Sequence, residues 1–117
     1  MSFTINSRNN NDVMVLELSG RMRATEPLTE LQSRVRDSVD KGTRRFAFEM
    51  AGVESIDSTG LSQLAACYGL VTNAGGEIRL IRPTERVKNV LRIMSLLRVF
   101  DTFEDEPSAL ASFGKNA

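Results

Sequence analysis

The strongest constraint on the fold is an alternation of two hydrophobic patterns along most of the chain. In short runs, apolar residues cluster or fall at every second position, as a buried or half-buried strand requires. In the longer stretches between them, apolar residues recur every three or four positions, as one face of a helix requires. Phe3 to Ser7 and Val13 to Leu18 read as strands. The turn-forming Asn9-Asn10-Asn11-Asp12 joins them into a hairpin, and Ser19-Gly20 ends the second strand. Arg45 to Met50 reads as a short buried strand, with Phe46, Phe48 and Met50 on one side and Ala47 and Glu49 on the other. Glu77 to Ile81 reads as a strand, and Val99 to Phe103 as a short strand or an extended stretch.

A first helix is expected from Pro27, with Thr25 or Glu26 near its cap. It carries Leu28, Leu31, Val35 and Val39 at helical spacing and stops at Lys41-Gly42. A second spans Ser58 to Ala74, with Leu61, Leu64, Ala65 and Tyr68 in one stripe, and ends at Gly75-Gly76. A third spans Thr84 to Leu97, with Val87, Val90, Leu91 and Met94 at core spacing. Glu106-Pro107-Ser108 opens a last short helix carrying Leu110 and Phe113. Helical crossovers between strands imply parallel pairing. The expected class is therefore α/β: an N-terminal β-hairpin followed by βαβα units, forming a mixed sheet packed by helices. With 117 residues and neither linker nor repeat, residues 1–117 are expected to form a single domain.

Composition narrows the function. Lys plus Arg equals Asp plus Glu, so the formal net charge is zero and offers no basic surplus for nucleic-acid binding. There is no histidine, which removes the commonest general acid/base and the commonest metal ligand. Cys67 is the lone cysteine, so no internal disulfide is possible and a reducing compartment is the natural expectation. It falls on the wider apolar face of its helix and reads as a small buried hydrophobe. Met1 to Asp12 lacks the apolar core of a signal peptide, and no run reaches membrane-spanning length. A cytoplasmic protein without membrane insertion is expected, with no catalytic residues, no cofactor and no metal.

The segment that carries chemical information is Val53-Glu54-Ser55-Ile56-Asp57-Ser58-Thr59-Gly60-Leu61, which joins a buried strand to a long helix. Free N–H groups at a helix start favour an anion. Ser58 reads in two ways, as a helix N-cap or as an exposed hydroxyl open to modification. A phosphate there would add a charge of about −1.5 to −2 on the attractive end of the helix dipole, but beside Asp57. Gly60 is explicable by close packing of helix on sheet.

Asp57-Ser58-Thr59-Gly60-Leu61, the strand before it and Gly75-Gly76-Glu77-Ile78-Arg79-Leu80 after it resemble the STAS domain family, most closely its bacterial anti-sigma factor antagonists. The resemblance extends through Leu18-Ser19-Gly20-Arg21-Met22, Phe46-Ala47-Phe48-Glu49-Met50 and Val87-Lys88-Asn89-Val90-Leu91. It implies a regulator of transcription that binds an anti-sigma factor, commonly a serine kinase, and is released on phosphorylation and reset by a phosphatase. Carried over by position, the phosphoacceptor is Ser58, with Thr59 as the alternative. The implied partner-binding set is Asp57, Ser58, Thr59, Gly60 and Leu61, with Arg23 and Glu49. Two positions depart from the usual pattern. Arg23 stands where the family often has an acidic residue, and Glu49-Met50 stands for its Asp-Leu. The charge reversal at Arg23 sustains a second reading, a phosphorylation-independent STAS scaffold or a transporter-associated partner protein. A small-ligand sensor lacks support from any Gly-rich phosphate loop.

Two further features read in more than one way. Arg79, Arg82, Arg86, Lys88, Arg92 and Arg98 form either a face for an acidic partner or a solvated face balanced by the acidic tail Asp101, Glu104, Asp105 and Glu106. Ile93, Leu96, Leu97 and Phe100 form either a partner patch or a surface that the last helix covers, with Phe113 nearby.

Overall fold

The computed structural model describes residues 3–113. Met1, Ser2 and residues 114–117 of the expected 1–117 domain lie outside the described residues. Strands β1 (Thr4–Asn10) and β2 (Val13–Met22) form the hairpin, paired antiparallel from Thr4↔Ser19 to Asn10↔Val13. Its turn is shorter than the asparagine run suggests. Asn11 takes a left-handed φ of 58°, a conformation its side chain tolerates, so Asn11-Asp12 suffice and Asn9 and Asn10 join the strand.

Strand β3 (Arg45–Ile56) and β2 both run further than their sequence patterns predict, which end them at Met50 and at Ser19-Gly20. They stay paired, parallel, as far as Arg21↔Ser55 and Met22↔Ile56. The pairing slips between Glu17 and Ser19 and between Gly20 and Arg21, and Gly20 takes a φ of 101°. Gly20 thus absorbs a bulge instead of ending the strand. The extension carries the ends of both strands to the start of the second helix.

Beyond the hairpin lie α1 (Thr29–Asp40), α2 (Ser58–Asn73), β4 (Glu77–Ile81), α3 (Glu85–Ile93), a 3-10 turn (Leu96–Arg98), β5 (Asp101–Phe103) and α4 (Glu106–Ser112). The sheet order is β1-β2-β3-β4-β5, with every pair after the hairpin parallel. This is the mixed sheet that the alternating pattern predicts. Phe46, Phe48 and Met50 enter the main core with Leu31 and Val35 of α1, Leu64 and Val71 of α2 and Val87 and Leu91 of α3. Ala47 faces the other way, into a smaller cluster with Val13, Val15, Ile81, Ala109 and Phe113 beneath α4. Helices on both faces explain why Phe46, Ala47 and Phe48, on alternating sides of β3, are all fully buried.

Several local expectations are corrected. Helix α1 starts at Thr29, not Pro27, and its cap position is Leu28, which makes no side-chain cap bond. Glu26 instead accepts the N–H of Phe3 at 3.1 Å, tying down the start of the chain. Helix α3 stops at Ile93, because Ser95 turns left-handed at φ 61°. Met94 therefore leaves the expected core stripe and is 55% exposed. Helix α4 packs on the opposite sheet face and cannot cover Ile93, which is 77% exposed. Leu96 and Leu97 lean on the main core, and Phe100 is buried edge-on against Tyr68, ring centroids 5.5 Å apart.

The basic cluster also divides. Arg79 is buried, its guanidinium 4.6 Å from the centre of the Phe113 ring and its Nε 2.7 Å from Ser112 Oγ, so it holds α4 to β4. In the acidic tail, Glu106 pairs with Arg8 of β1 and not with the basic residues of α3. Arg8 Nη1 donates to Glu106 Oε2 at 2.9 Å and Asn10 Nδ2 donates to the same oxygen at 2.8 Å. The bonds from Arg8 hold the Glu106 carboxyl down at about 2.

This latch between β1 and α4 gives a measurable expectation. Glu106→Gln is expected to cost about 0.2–1 kcal/mol, the range for a partly exposed pair, and to speed hydrogen exchange in α4 before the rest of the fold. Because the folded-state carboxyl titrates below its ordinary 4.5, the contribution is complete above that pH and is lost as pH falls towards 2. Urea melts between pH 6 and pH 2 should show the wild type losing this increment and Glu106→Gln showing no such loss.

Candidate functional site

Helix α2 begins where β3 runs out, and Asp57 is the residue that makes the junction. Its backbone is extended at φ −115° and ψ −172°, and its N–H donates to Met22 O at 3.1 Å. Asp57 Oδ1 accepts from the N–H groups of Thr59 and Gly60, both at 3.0 Å. The N-cap is therefore Asp57, one residue before the serine that the sequence pattern offers for that role. Ser58 is the first helical residue and is exposed. Of its two readings, the geometry supports the accessible hydroxyl.

The second carboxylate oxygen reaches sideways. Asp57 Oδ2 accepts the N–H of Ala24 at 2.9 Å, tying the segment after β2 to the start of α2. Burial works to raise the Asp57 carboxyl, but the N–H groups of Ala24, Gly60 and Thr59 and the positive charge of Arg23 outweigh it and hold it below the ordinary range. Two of the outward N–H groups expected to attract an external anion, those of Thr59 and Gly60, are thus already engaged. The anion at this helix start is the protein's own Asp57.

Gly60 and Leu61 are buried and Thr59 is half-buried. A Cβ on Gly60 would lie 2.3 Å from Met22 O and 2.7 Å from Ile56 Cγ1, so the close packing read from sequence is what the helix requires. Arg23 does join the site. It is exposed, its Nη1 lies 3.5 Å from Ser55 Oγ, and its charge acts on Asp57. Glu49 does not join it. Glu49 Oε1 accepts from Arg82 Nη2 at 2.5 Å and Oε2 from the N–H of Ala51 at 3.1 Å. These contacts commit it to the strand surface, away from the helix start.

The sequence pattern misses Ser62 and Met94 as site residues. An open groove of about 250 Å³ runs beside Ser58, lined by Leu61, Ser62, Ala65, Met94 and Leu96. The available signal was the residue pair Met94-Ser95, where the α3 stripe breaks. Among the described residues no three of His, Cys, Asp and Glu gather as a metal site, and no helix is long and apolar enough to cross a membrane. Cys67 is fully buried, and burial pushes its thiol up to about 12, which leaves it unreactive.

Comparison with known proteins bears on the same residues. The sequence profile described as "STAS domain" matches residues 4–109. A protein of Thermotoga neapolitana, named as a candidate anti-sigma factor antagonist, is 33% identical over 72 residues. That match covers 62% of this chain and spans 64% of the relative's length. The crystal structure of a candidate anti-sigma factor antagonist from Thermotoga maritima superposes with a TM-score of 0.85 at 23% identity, covering 92% of each chain. The phosphorylated form of the Bacillus cell fate determinant SpoIIAA superposes with a TM-score of 0.72 at 13% identity, covering 96% of this chain and 99% of that one. At such identities the structural likenesses establish the fold.

Two substitutions test the junction. Gly60→Ala is expected to lower stability by about 1–3 kcal/mol, because the new methyl must displace β2 backbone. Asp57→Ala is expected to cost about 1–2 kcal/mol through loss of the cap. Since Asp57 titrates below its ordinary 3.8 in the folded chain, its contribution is complete above that pH and declines as pH falls further. Chemical denaturation of each variant at pH 7 and pH 3 checks both, and the Asp57→Ala deficit should shrink at the lower pH.

Proposed function

The chain belongs to the STAS domain family, and from that premise we propose that it is an anti-sigma factor antagonist switched by phosphorylation of Ser58. Unphosphorylated, it binds an anti-sigma factor that is also a serine kinase. The kinase supplies the nucleotide. Ser58 Oγ attacks the γ-phosphorus, the bond to the departing diphosphate breaks, and the hydroxyl proton passes to a base of the kinase. The phosphorylated chain leaves its partner, and a phosphatase returns the hydroxyl by hydrolysis. The chain acts on transcription through protein contacts in the cytoplasm and performs no chemistry alone. The Thermotoga relative and the Thermotoga maritima structure are named as candidate anti-sigma factor antagonists, which supports the antagonist part of the reading.

One observation carries the proposal: Asp57, not Ser58, caps the helix. Ser58 is free to be modified without loss of the bonds that start α2. A phosphate there would find the N–H groups of Thr59 and Gly60 occupied and a carboxylate beside it. Its charge of about −1.5 to −2 would therefore project outward, against whatever packs on this surface. Thr59 is less suited, being half-buried with its N–H engaged by Asp57.

Arg23 favours a second reading, a scaffold that binds without phosphorylation, because its positive charge would offset part of any phosphate added nearby. Binding to the anti-sigma factor recovered with the chain from its own cells separates the two. Ser58→Ala is expected to bind like the unmodified wild type, and Ser58→Glu about tenfold or more weakly by calorimetry. Intact-mass analysis of the native protein should find one phosphate, mapped to Ser58. Equal affinity in all forms, with no phosphate under any growth condition, would discard the switch in favour of the scaffold.

A further inference from the structure

Three large hydrophobic residues are exposed among the described residues, and all lie within one short segment: Ile93 (77%), Met94 (55%) and Val99 (40%). Soluble proteins rarely leave such residues clustered without a partner. Met94 of this segment, with Leu96, forms one wall of a groove whose other wall is α2, where Leu61 and Ala65 give it apolar character; Ile93 and Val99 flank these residues in sequence. The stretch of chain that carries this segment is rich in positive charge. Positions 82 to 99 hold five cations and one carboxylate in a chain whose net charge is zero. Arg86, Arg92 and Arg98 are exposed, and none of them enters an ion pair among the described residues. Arg86 precedes Ile93 by seven residues, which places both on the same side of α3.

We propose that this groove is the docking site for an amphipathic, acidic helix of a partner protein. Its apolar side chains lie between α2 and the end of α3, and its carboxylates meet Arg86, Arg92 and Arg98. A cleft between helices admits another helix, read through anchors one turn apart. The arginine rim selects for acidic residues and speeds encounter with them. A second copy of this chain fits badly, because a two-fold contact would set the same arginines against each other. A bilayer could also meet the exposed Ile93, Met94 and Val99, but the cleft lined by Leu61, Ala65, Met94 and Leu96 beside them suits a helix better than a flat surface. Ser58 lines the same groove, so a phosphate on it would place negative charge at the edge where acidic residues dock. That last coupling rests on the reading of Ser58 as a switch; the groove itself does not.

The test is to pan the whole chain against a displayed library of 16-residue peptides patterned as amphipathic helices, with Leu, Ile or Phe at the apolar positions and any residue elsewhere. Enrichment of Asp and Glu at the polar positions is expected. A synthesised winner should bind with a Kd that weakens steeply between 50 and 300 mM salt. It should lose about tenfold or more in affinity against Ile93→Ser and against the double variant Arg92→Gln, Arg98→Gln. These positions are exposed, and circular dichroism should show all variants folded. Failure to enrich, enrichment of polar positions that are not acidic, or winners indifferent to these substitutions would overturn the proposal. So would concentration-dependent dimerisation in sedimentation that Ile93→Ser abolishes. Binding to vesicles of phosphatidylglycerol and phosphatidylcholine that Ile93→Ser abolishes would overturn it equally. A winner that depends on Ile93 yet binds Ser58→Glu unchanged would support the groove and remove only its coupling to the switch.

Discussion

One carboxylate joins three pieces of chain. Asp57 accepts N–H groups from Thr59 and Gly60 in its own helix and from Ala24 across the gap, while its backbone N–H donates to Met22. The three bonds to the carboxylate have a charged acceptor, and such bonds are stronger than those between neutral groups. The end of β2, the segment carrying Arg23 and the start of α2 are thereby held as one unit. Ser58 is exposed because its neighbour has taken over the work of capping.

Steric packing supports the same junction. Gly60 lets the first turn of α2 rest directly on Met22 and Ile56, closer than any side chain allows. Met22 and Ile56 are there only because β2 and β3 continue in register beyond the bulge at Gly20. The local sequence thus works at several distances at once. A left-handed glycine prolongs two strands, their ends form a seat, and a second glycine lets the helix settle on it. The result is a helix start on a rigid base, which is what a surface read by a partner needs.

Charge is spread unevenly over a chain that is neutral as a whole. Arg8, Arg34, Arg79 and Arg82 each have a carboxylate partner; Arg8–Glu106 ties β1 to α4 and Arg82–Glu49 ties the end of β4 to β3, while Arg34–Glu30 and Arg79–Glu77 lie within α1 and β4. Arg79 and Arg8 from different strands both serve to hold α4 on the sheet face away from the helix start. Arg86, Arg92 and Arg98 have no carboxylate partner among the described residues and share the stretch 86–99 with the exposed Ile93, Met94 and Val99. Cations of the first kind are structural. Those of the second kind give the α3 surface a character that no other described part of the molecule shares.

The sequence by itself determined the layered α/β class, the order of its elements and the two-sided burial of β3. Hydrophobic period reports local geometry directly, and Phe46, Phe48 and Met50 do face one core while Ala47 faces the other. It also marked Asp57 to Leu61 as the informative segment, since small polar residues before an amphipathic stretch have few other uses. It did not determine which of two adjacent capping residues would cap, because Asp57 and Ser58 are both good caps. That choice turned on where β3 ended and on the N–H of Ala24, 33 positions away in sequence. Nor did it show that Glu49 would turn to Arg82, that Ser95 would end α3, or that α4 would cross to the opposite face and leave Ile93 uncovered. Those outcomes depend on contacts between distant segments, which a local period does not encode. Only the tertiary structure, by choosing which side of the sheet each helix occupies, decided which apolar residues became core and which became surface.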